Sequence, residues 1–207
     1  MRNEPSPQNP LCSLWLIFGQ VLNQRRPALN FTLIELTESD YTLIQNLIRF
    51  YVYDMSEFMG WPCPENGLFG GVDDQPYYFG RIPDNPDALW PEGWTGLGYK
   101  IMVDGEIGGF CLVRLFNRDG VQLNDIGEFF ILRKFRRHGL GQRVAHAVFD
   151  RFPGNWQVRQ LLENRPAQQF WRTVIDWYTN GRFTDRIEPI PDYGEMQVQT
   201  FTTPATL

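Results

Sequence analysis

Four cations fall within five residues at Arg133, Lys134, Arg136 and Arg137, and the glycines Gly139 and Gly141 follow at once. The apolar run 129–132 precedes this stretch. Behind it, Val144, Ala145, Val148, Phe149 and Phe152 recur at helical spacing. A strand, a glycine-containing turn and a helix start, in that order, can bind an anion. The first N–H groups of a helix have no partner inside it and lie at the positive end of its dipole. Glycine lets a phosphate approach them closely. A cation run is more ordinarily a solvated face, but its position against a Gly-x-Gly helix start favours the anion site. The glycines alone do not name the ligand. The dinucleotide fingerprint G-x-G-x-x-G/A finds Val144 at its last position, with Ala145 one place late. Neither a G-x-x-x-x-G-K-S/T phosphate loop nor a G-x-S-x-G nucleophile turn occurs.

The elements that would position this loop can be read from spacing. Residues 31–36 predict a first strand, and Thr37 or Ser39 caps a helix whose apolar face is Tyr41, Ile44, Leu47, Ile48 and Tyr51. A second short helix is expected near 56–59. Residues 60–98 are rich in Gly, Pro, Asp and aromatics, among them Trp61, Phe69, Tyr77, Tyr78, Phe79, Trp90 and Trp94. They form either part of an acceptor wall or the edge of the core. A β-meander follows with strands at 99–103, 106–116 and 125–132, turning at Asp104-Gly105 and at 117–120. Gly108-Gly109 suggests a bulge or a close backbone approach. Pro153-Gly154 stops the helix behind the glycine loop. A strand at 156–162, a helix at 164–175 and a last strand at 196–202 complete the order β-α-α-β-β-β-α-β-α-β. This is an α/β (α+β) class, a mixed sheet flanked by helices.

Composition bounds the rest. One domain is expected over residues 31–207, preceded by a poorly ordered extension over 1–30. The apolar run within 11–22 is too short to span a bilayer, and its rival reading is an anchor or targeting segment. A net charge of -5 argues against a nucleic-acid partner. Cys12, Cys63 and Cys111 are odd in number and lack a C-x-x-C pair, which suggests a reducing cytoplasm. His138 and His146 are the only histidines, so no metal site is expected.

Arg136-x-x-Gly139-x-Gly141 fits the Q/R-x-x-G-x-G/A acetyl-CoA motif, and the chain resembles the GNAT superfamily of acetyltransferases over about residues 31–201. The strand 128–132 and the helix start Asn164-x-x-Ala167-x-x-Phe170-Trp171 add to the likeness. The chain looks especially like uncharacterised bacterial members with a Tyr-x-Tyr-Asp-x-Ser-Glu stretch, here residues 51–57. The resemblance implies the GNAT acyl-CoA N-acyltransferase fold, with direct transfer from acetyl-CoA to the amino group of a small-molecule amine. It implies that backbone groups of Phe130, Ile131 and Leu132 pair with pantetheine. It places the pyrophosphate against Arg136, Arg137, His138, Gly139, Leu140, Gly141, Gln142 and Arg143. Asn164 caps its helix or touches the pantetheine arm, and His138 is a positioned loop residue or a phosphate contact.

The amine must lose a proton before it attacks, and a carboxylate can take it. Glu128 is the first candidate base and Asp125 the second; the rival role for Glu128 is an ion-pairing edge residue. On a regular strand 125 and 128 point to opposite faces, so both reach one cleft only across a bulge. Strand amides near Ile131 would stabilise the developing oxyanion. Many members carry Tyr where Trp171 stands, and indole is no acid. Tyr178, or solvent, is the replacement considered. Glu65, Asp73, Asp74, Asp84, Asp87 and Glu92 suggest a cationic acceptor. No membrane partner is expected, and a homodimer is allowed. Two other readings stand beside the enzyme: a non-catalytic acyl-CoA-binding sensor and a nucleotide-binding regulatory domain.

Overall fold

The computed structural model describes residues 28–70, 75–79, 93–191 and 193–204. Seven strands form one sheet: β1 (Phe31–Glu35), β2 (Thr95–Val103), β3 (Glu106–Arg118), β4 (Val121–Ile131), β5 (Gly154–Leu161), β6 (Thr184–Ile190) and β7 (Gly194–Thr203). Their spatial order is β1-β2-β3-β4-β5-β7-β6. Among the described residues three α-helices accompany them: α1 (Tyr41–Met59), α2 (Leu140–Arg151) and α3 (Arg165–Thr179). Every neighbouring pair is antiparallel except β4 and β5, which run parallel with α2 as their crossover. The mixed sheet and flanking helices are those the residue spacing implied.

Strand alternation decides which helix covers which face. Phe110 and Leu112 of β3 pack with Ile44, Leu47 and Ile48 of α1. Cys111 and Val113 point the other way, into a core built from Ala145, Val148 and Phe149 of α2 and Trp171, Val174 and Ile175 of α3. A strand buried on both faces reads as an unbroken apolar run, as β3 does from 110 to 113. The tight turn before β3 has Asp104 and Gly105 at φ 48° and 86°, and that before β4 has Asp119 and Gly120 at φ 53° and 80°. Consecutive positive φ values make a two-residue turn whose twist matches the strands. Between β2 and β3 the register skips Gly108, and a Cβ on Gly109 would lie 1.9 Å from the Phe130 carbonyl oxygen. Bulge and close approach therefore both occur there.

Several boundaries differ from those expected. α1 is one helix through Met59, because residues 50–55 contain neither Gly nor Pro to break it. Thr37 and Asp40 form a reciprocal capping box at its start, and Asp40 also pairs with Lys100 on β2 at 2.7 Å. That ammonium, ahead of the cost of burial, holds the Asp40 carboxyl below the usual carboxylate range. β6 was not anticipated. It is an edge strand, largely exposed and carrying Pro189, so it lacks a clean apolar alternation. The apolar run within 11–22, Trp90, and Asp73, Asp74, Asp84, Asp87 and Glu92 lie outside the described residues. Glu65 is exposed. No described helix is long and apolar enough to cross a membrane, and no group of three metal-ligating side chains stands together among the described residues.

Candidate active site

The parallel seam between β4 and β5 is short. Pairing runs from Leu123↔Asn155 to Ile126↔Val158 and then ceases. Beyond it β4 continues beside β3 to Ile131, while β5 continues beside β7 to Leu161. The sheet therefore splits, and a cavity of about 530 Å³ opens at the split. That volume suits a small-molecule site. Gly127, Glu128 and Phe129 of β4, Arg159, Gln160 and Leu161 of β5, the second half of α1, and Trp171 of α3 line it.

The parity problem at 125 and 128 is resolved by a bulge. Leu112 faces Glu128 while Val113 faces Ile126, so Gly127 is the extra residue. Phe130 and Asp125 thereby share a face with Glu128, although 125 and 128 differ in parity. A side chain at 127 would place its Cβ 2.2 Å from the Tyr78 hydroxyl oxygen, which explains the glycine. The two carboxylates differ in surroundings. Asp125 is fully buried and sits between two guanidiniums. Arg114 donates to it from Nε and Nη2, both at 2.8 Å, and Arg159 from Nη2 at 2.9 Å. Those arginine side chains are only 8% and 7% exposed. Asp125 is thus the centre of an ionic knot and does not line the cavity. Glu128 does line it, and accepts a hydrogen bond from the Tyr51 hydroxyl of α1. Burial first, then the charge and hydrogen bond of Glu128, push the Tyr51 phenol well above its ordinary value.

Trp171 is nearly buried, packs edge-on against Phe129 with ring centroids 5.2 Å apart, and closes part of the cavity floor. The structure does not bring Tyr178 to this place. Its hydroxyl donates to Asp150 at 2.7 Å, and its ring lies 5.0 Å from His146 and 5.1 Å from Phe149, between α2 and α3. Burial and Asp150 hold that phenol protonated. His146 ties the same two helices through the Val174 carbonyl at 2.9 Å.

The cationic loop folds as a short 3-10 turn over Arg133–Phe135 and then the start of α2 at Leu140. Gly139 caps the helix at φ 70°, a left-handed conformation in which a side chain is strained, and nothing crowds the space beside it. Gly141 serves packing as well: a Cβ there would come within 3.1 Å of the Phe170 ring. Leu140, Phe130 and Ile131 bury their side chains in the core, and Leu132 packs against it while its N–H donates to the Gly108 carbonyl at 2.8 Å. Of the cations, Arg133 and Arg136 both hold Asp54, at 2.5 and 2.7 Å, and Lys134 pairs with Glu106. Arg136 Nε also donates to the Ile131 carbonyl at 2.6 Å. Arg143 donates to the Leu29 carbonyl at 2.7 Å. Arg137 is exposed and has no ion-pair partner among the described residues. Gln142 is half-buried and His138 likewise. Asn164 accepts from the Ala167 N–H at 3.1 Å as a helix cap and also lines the cavity.

Sequence reasoning missed Tyr51, Arg114, Arg159 and Gln160. Tyr51 occupies the last position of an apolar stripe, and its polar tip carried no separate signal. Arg114 did carry one, since a cation inside a strand buried on both faces needs a buried partner.

Among curated protein sequences, none matches the chain. The chain is similar in fold to Naa50 of Arabidopsis thaliana in complex with a bisubstrate analogue, at 13% identity and a TM-score of 0.50, over 83% of this chain and 98% of that one. It is also similar to the ribosomal-protein-S18-alanine N-acetyltransferase of Escherichia coli, at 13% identity and a TM-score of 0.49, over 86% and 96%. The sequence model of the acetyltransferase (GNAT) family matches residues 64–174, more than half of the chain, and takes in the split strand, the glycine loop and most of α3. The chain belongs to the GNAT family of acetyltransferases.

Proposed function

We propose that the chain transfers the acetyl group of acetyl-CoA to the amino group of a small-molecule acceptor, with Glu128 as base and Tyr51 as acid. The observation that carries this reading is the pairing of Tyr51 with Glu128 on the wall of the cavity where β4 and β5 part. In this reading the N–H groups at the start of α2, with Arg136, Arg137, His138, Gly139, Leu140, Gly141 and Gln142, hold the pyrophosphate. The end of β4 and the residue after it, at Phe130, Ile131 and Leu132, meet the pantetheine arm on the side away from β3, and Asn164 stands at its far side. Acetyl-CoA supplies the activated thioester.

The acceptor arrives as an ammonium with a pKa near 10.4, so it must be deprotonated. Glu128 takes that proton, the nitrogen forms its bond to the acetyl carbon, and the carbon–sulfur bond breaks. Of the two protons the nitrogen gives up, one leaves through Glu128 to solvent. The other is balanced by the proton that Tyr51 gives to the departing sulfur, and Glu128 returns a proton to Tyr51. The hydrogen bond between the two groups makes this exchange local. Once Glu128 is protonated its charge no longer opposes ionisation of the phenol, so the acid strengthens at the stage at which it is needed. Tyr51 also answers the motive for a sensor protein, because a phenol reaches the cavity although Trp171 is an indole.

Calorimetric titration with acetyl-CoA, followed by amine turnover, tests the reading. Glu128→Gln is expected to lose about a hundredfold or more in kcat while binding acetyl-CoA as before. Wild-type turnover in that variant would overturn the assignment.

A further inference from the structure

We infer that the acceptor is an α-amino carboxylate with an apolar side chain, its ammonium against Glu128 and its carboxylate against Arg159 and Gln160; this rests on the acetyl-transfer reading above. Arg159 lies one residue beyond Val158, where the parallel pairing ends, and so stands at the throat of the split. Its Nε and Nη2 donate to Asp125 at 3.4 and 2.9 Å, and no described residue takes its Nη1. Arg159 lines the cavity. A guanidinium held rigid from behind, with one edge free, is suited to a carboxylate.

Gln160 supplies the second observation. It is 4% exposed, lines the same cavity, and has no partner among the described residues for either its amide nitrogen or its amide oxygen. Buried polar groups left unpaired cost free energy, so this amide is built to meet a polar ligand. Successive residues of β5 project to opposite faces of the sheet, so Arg159 and Gln160 would take a carboxylate lying in the split from its two sides. Across the split, Glu128 lies two residues beyond Ile126 on β4. Paired strands are about 4.8 Å apart, and these two diverge only from that point. Glu128 and Arg159 therefore present opposite charges across a gap that one small zwitterion can bridge. The remaining wall contains Met55, Met59, Trp61 and Tyr193, which suits an apolar or aromatic side chain. An amine without the carboxylate leaves the Arg159 edge and the Gln160 amide unmet, and unmet polar groups are what let a site discriminate strongly.

The test uses the full chain, acetyl-CoA, and a panel of methionine, leucine, phenylalanine and tryptophan, each beside its own carboxamide. At least one amino acid is expected to exceed its amide tenfold or more in kcat/KM. The acid-to-amide ratio should fall towards one in Arg159→Met, through KM. Because that variant disturbs a buried ion pair, Gln160→Met provides a milder one, in which the ratio should also fall. Misfolding lowers both members of each pair and leaves the ratio alone. Equal turnover of every acid and its amide, or a ratio untouched by both variants, would overturn the inference. If no amine at all is acetylated, the transfer reading fails instead. The inference is then judged by calorimetry on the coenzyme A-loaded protein, where no preference for the acids over the amides sinks it.

Discussion

The Tyr51 phenol is hydrogen-bonded to Glu128, and that contact bears on what pH should do. The Tyr51 phenol is pushed well above its usual value of about 10, by burial first and then by Glu128. It therefore keeps its proton across the neutral and mildly alkaline range. By linkage, its contribution to stability is complete below about pH 10 and is lost only as pH climbs through the raised value. The kcat profile should show no descending limb from this group below about pH 10. Tyr51→Phe should lower kcat roughly tenfold to a hundredfold with little change in acetyl-CoA affinity. A limb near neutrality that vanishes in Tyr51→Phe would contradict the role. Asp125 serves the fold instead, clamped by Arg114 and Arg159 and fully buried. Asp125→Asn is expected to cost about 3 kcal/mol, since it leaves two guanidiniums poorly compensated. Thermal denaturation checks this: a melting point lowered by less than about 2 °C would mean the knot is not structural. The sequence named Glu128 for its place on the strand before the glycine loop, and in the fold it lines the cavity. The difference between it and Asp125 was not legible, because it depends on arginines from β3 and β5 that only the folded sheet brings together.

At the scale of elements, the bulge at Gly127 is what turns β4 from a plain strand into one that presents Glu128 to the cavity. Gly127→Ala puts a methyl 2.2 Å from the Tyr78 hydroxyl, so something must shift. A loss of about 1–3 kcal/mol is expected, with a larger relative loss of kcat because Glu128 is re-aimed. Removing the hydroxyl with Tyr78→Phe should relieve part of that penalty, so the double variant should be more stable than the sum of the two singles predicts. Strict additivity would show that the clash is absorbed elsewhere. The hairpins were readable because Asp104-Gly105 and Asp119-Gly120 have turn chemistry of their own. The glycine loop was readable as the turn between a strand and a helix start. Its wiring was not: Asp54, which holds Arg133 and Arg136, comes from α1, some eighty residues earlier. β6 escaped notice because an exposed edge strand carries little hydrophobic signal.

For the whole molecule, the order of strands and helices followed from spacing, and the family followed from one loop motif joined to that order. The cavity did not follow, because it belongs to no single element. It forms where α1, β4, β5 and α3 fail to close on one another. The short seam that produces it has a consequence for how the protein opens. The β3–β4 ladder runs from Gly109↔Ile131 to Arg118↔Val121 and the β5–β7 ladder from Gly154↔Thr203 to Leu161↔Met196, whereas β4 and β5 are joined only between Leu123 and Ile126. Cooperative units of unfolding tend to follow such contiguous ladders. The meander β1–β4 and the ribbon β5–β7–β6 should thus separate along this seam before either comes apart. Amide hydrogen exchange in mild denaturant reads this directly. Seam amides should exchange through an opening of lower free energy than amides at the centre of β3 or β7. Acetyl-CoA bound as proposed, across both halves, should raise that opening free energy more than it raises the local fraying of β6. A donor molecule would then act as a fastener as well as a reagent, and the chain would be most vulnerable to proteolysis between turnovers, when the split is empty.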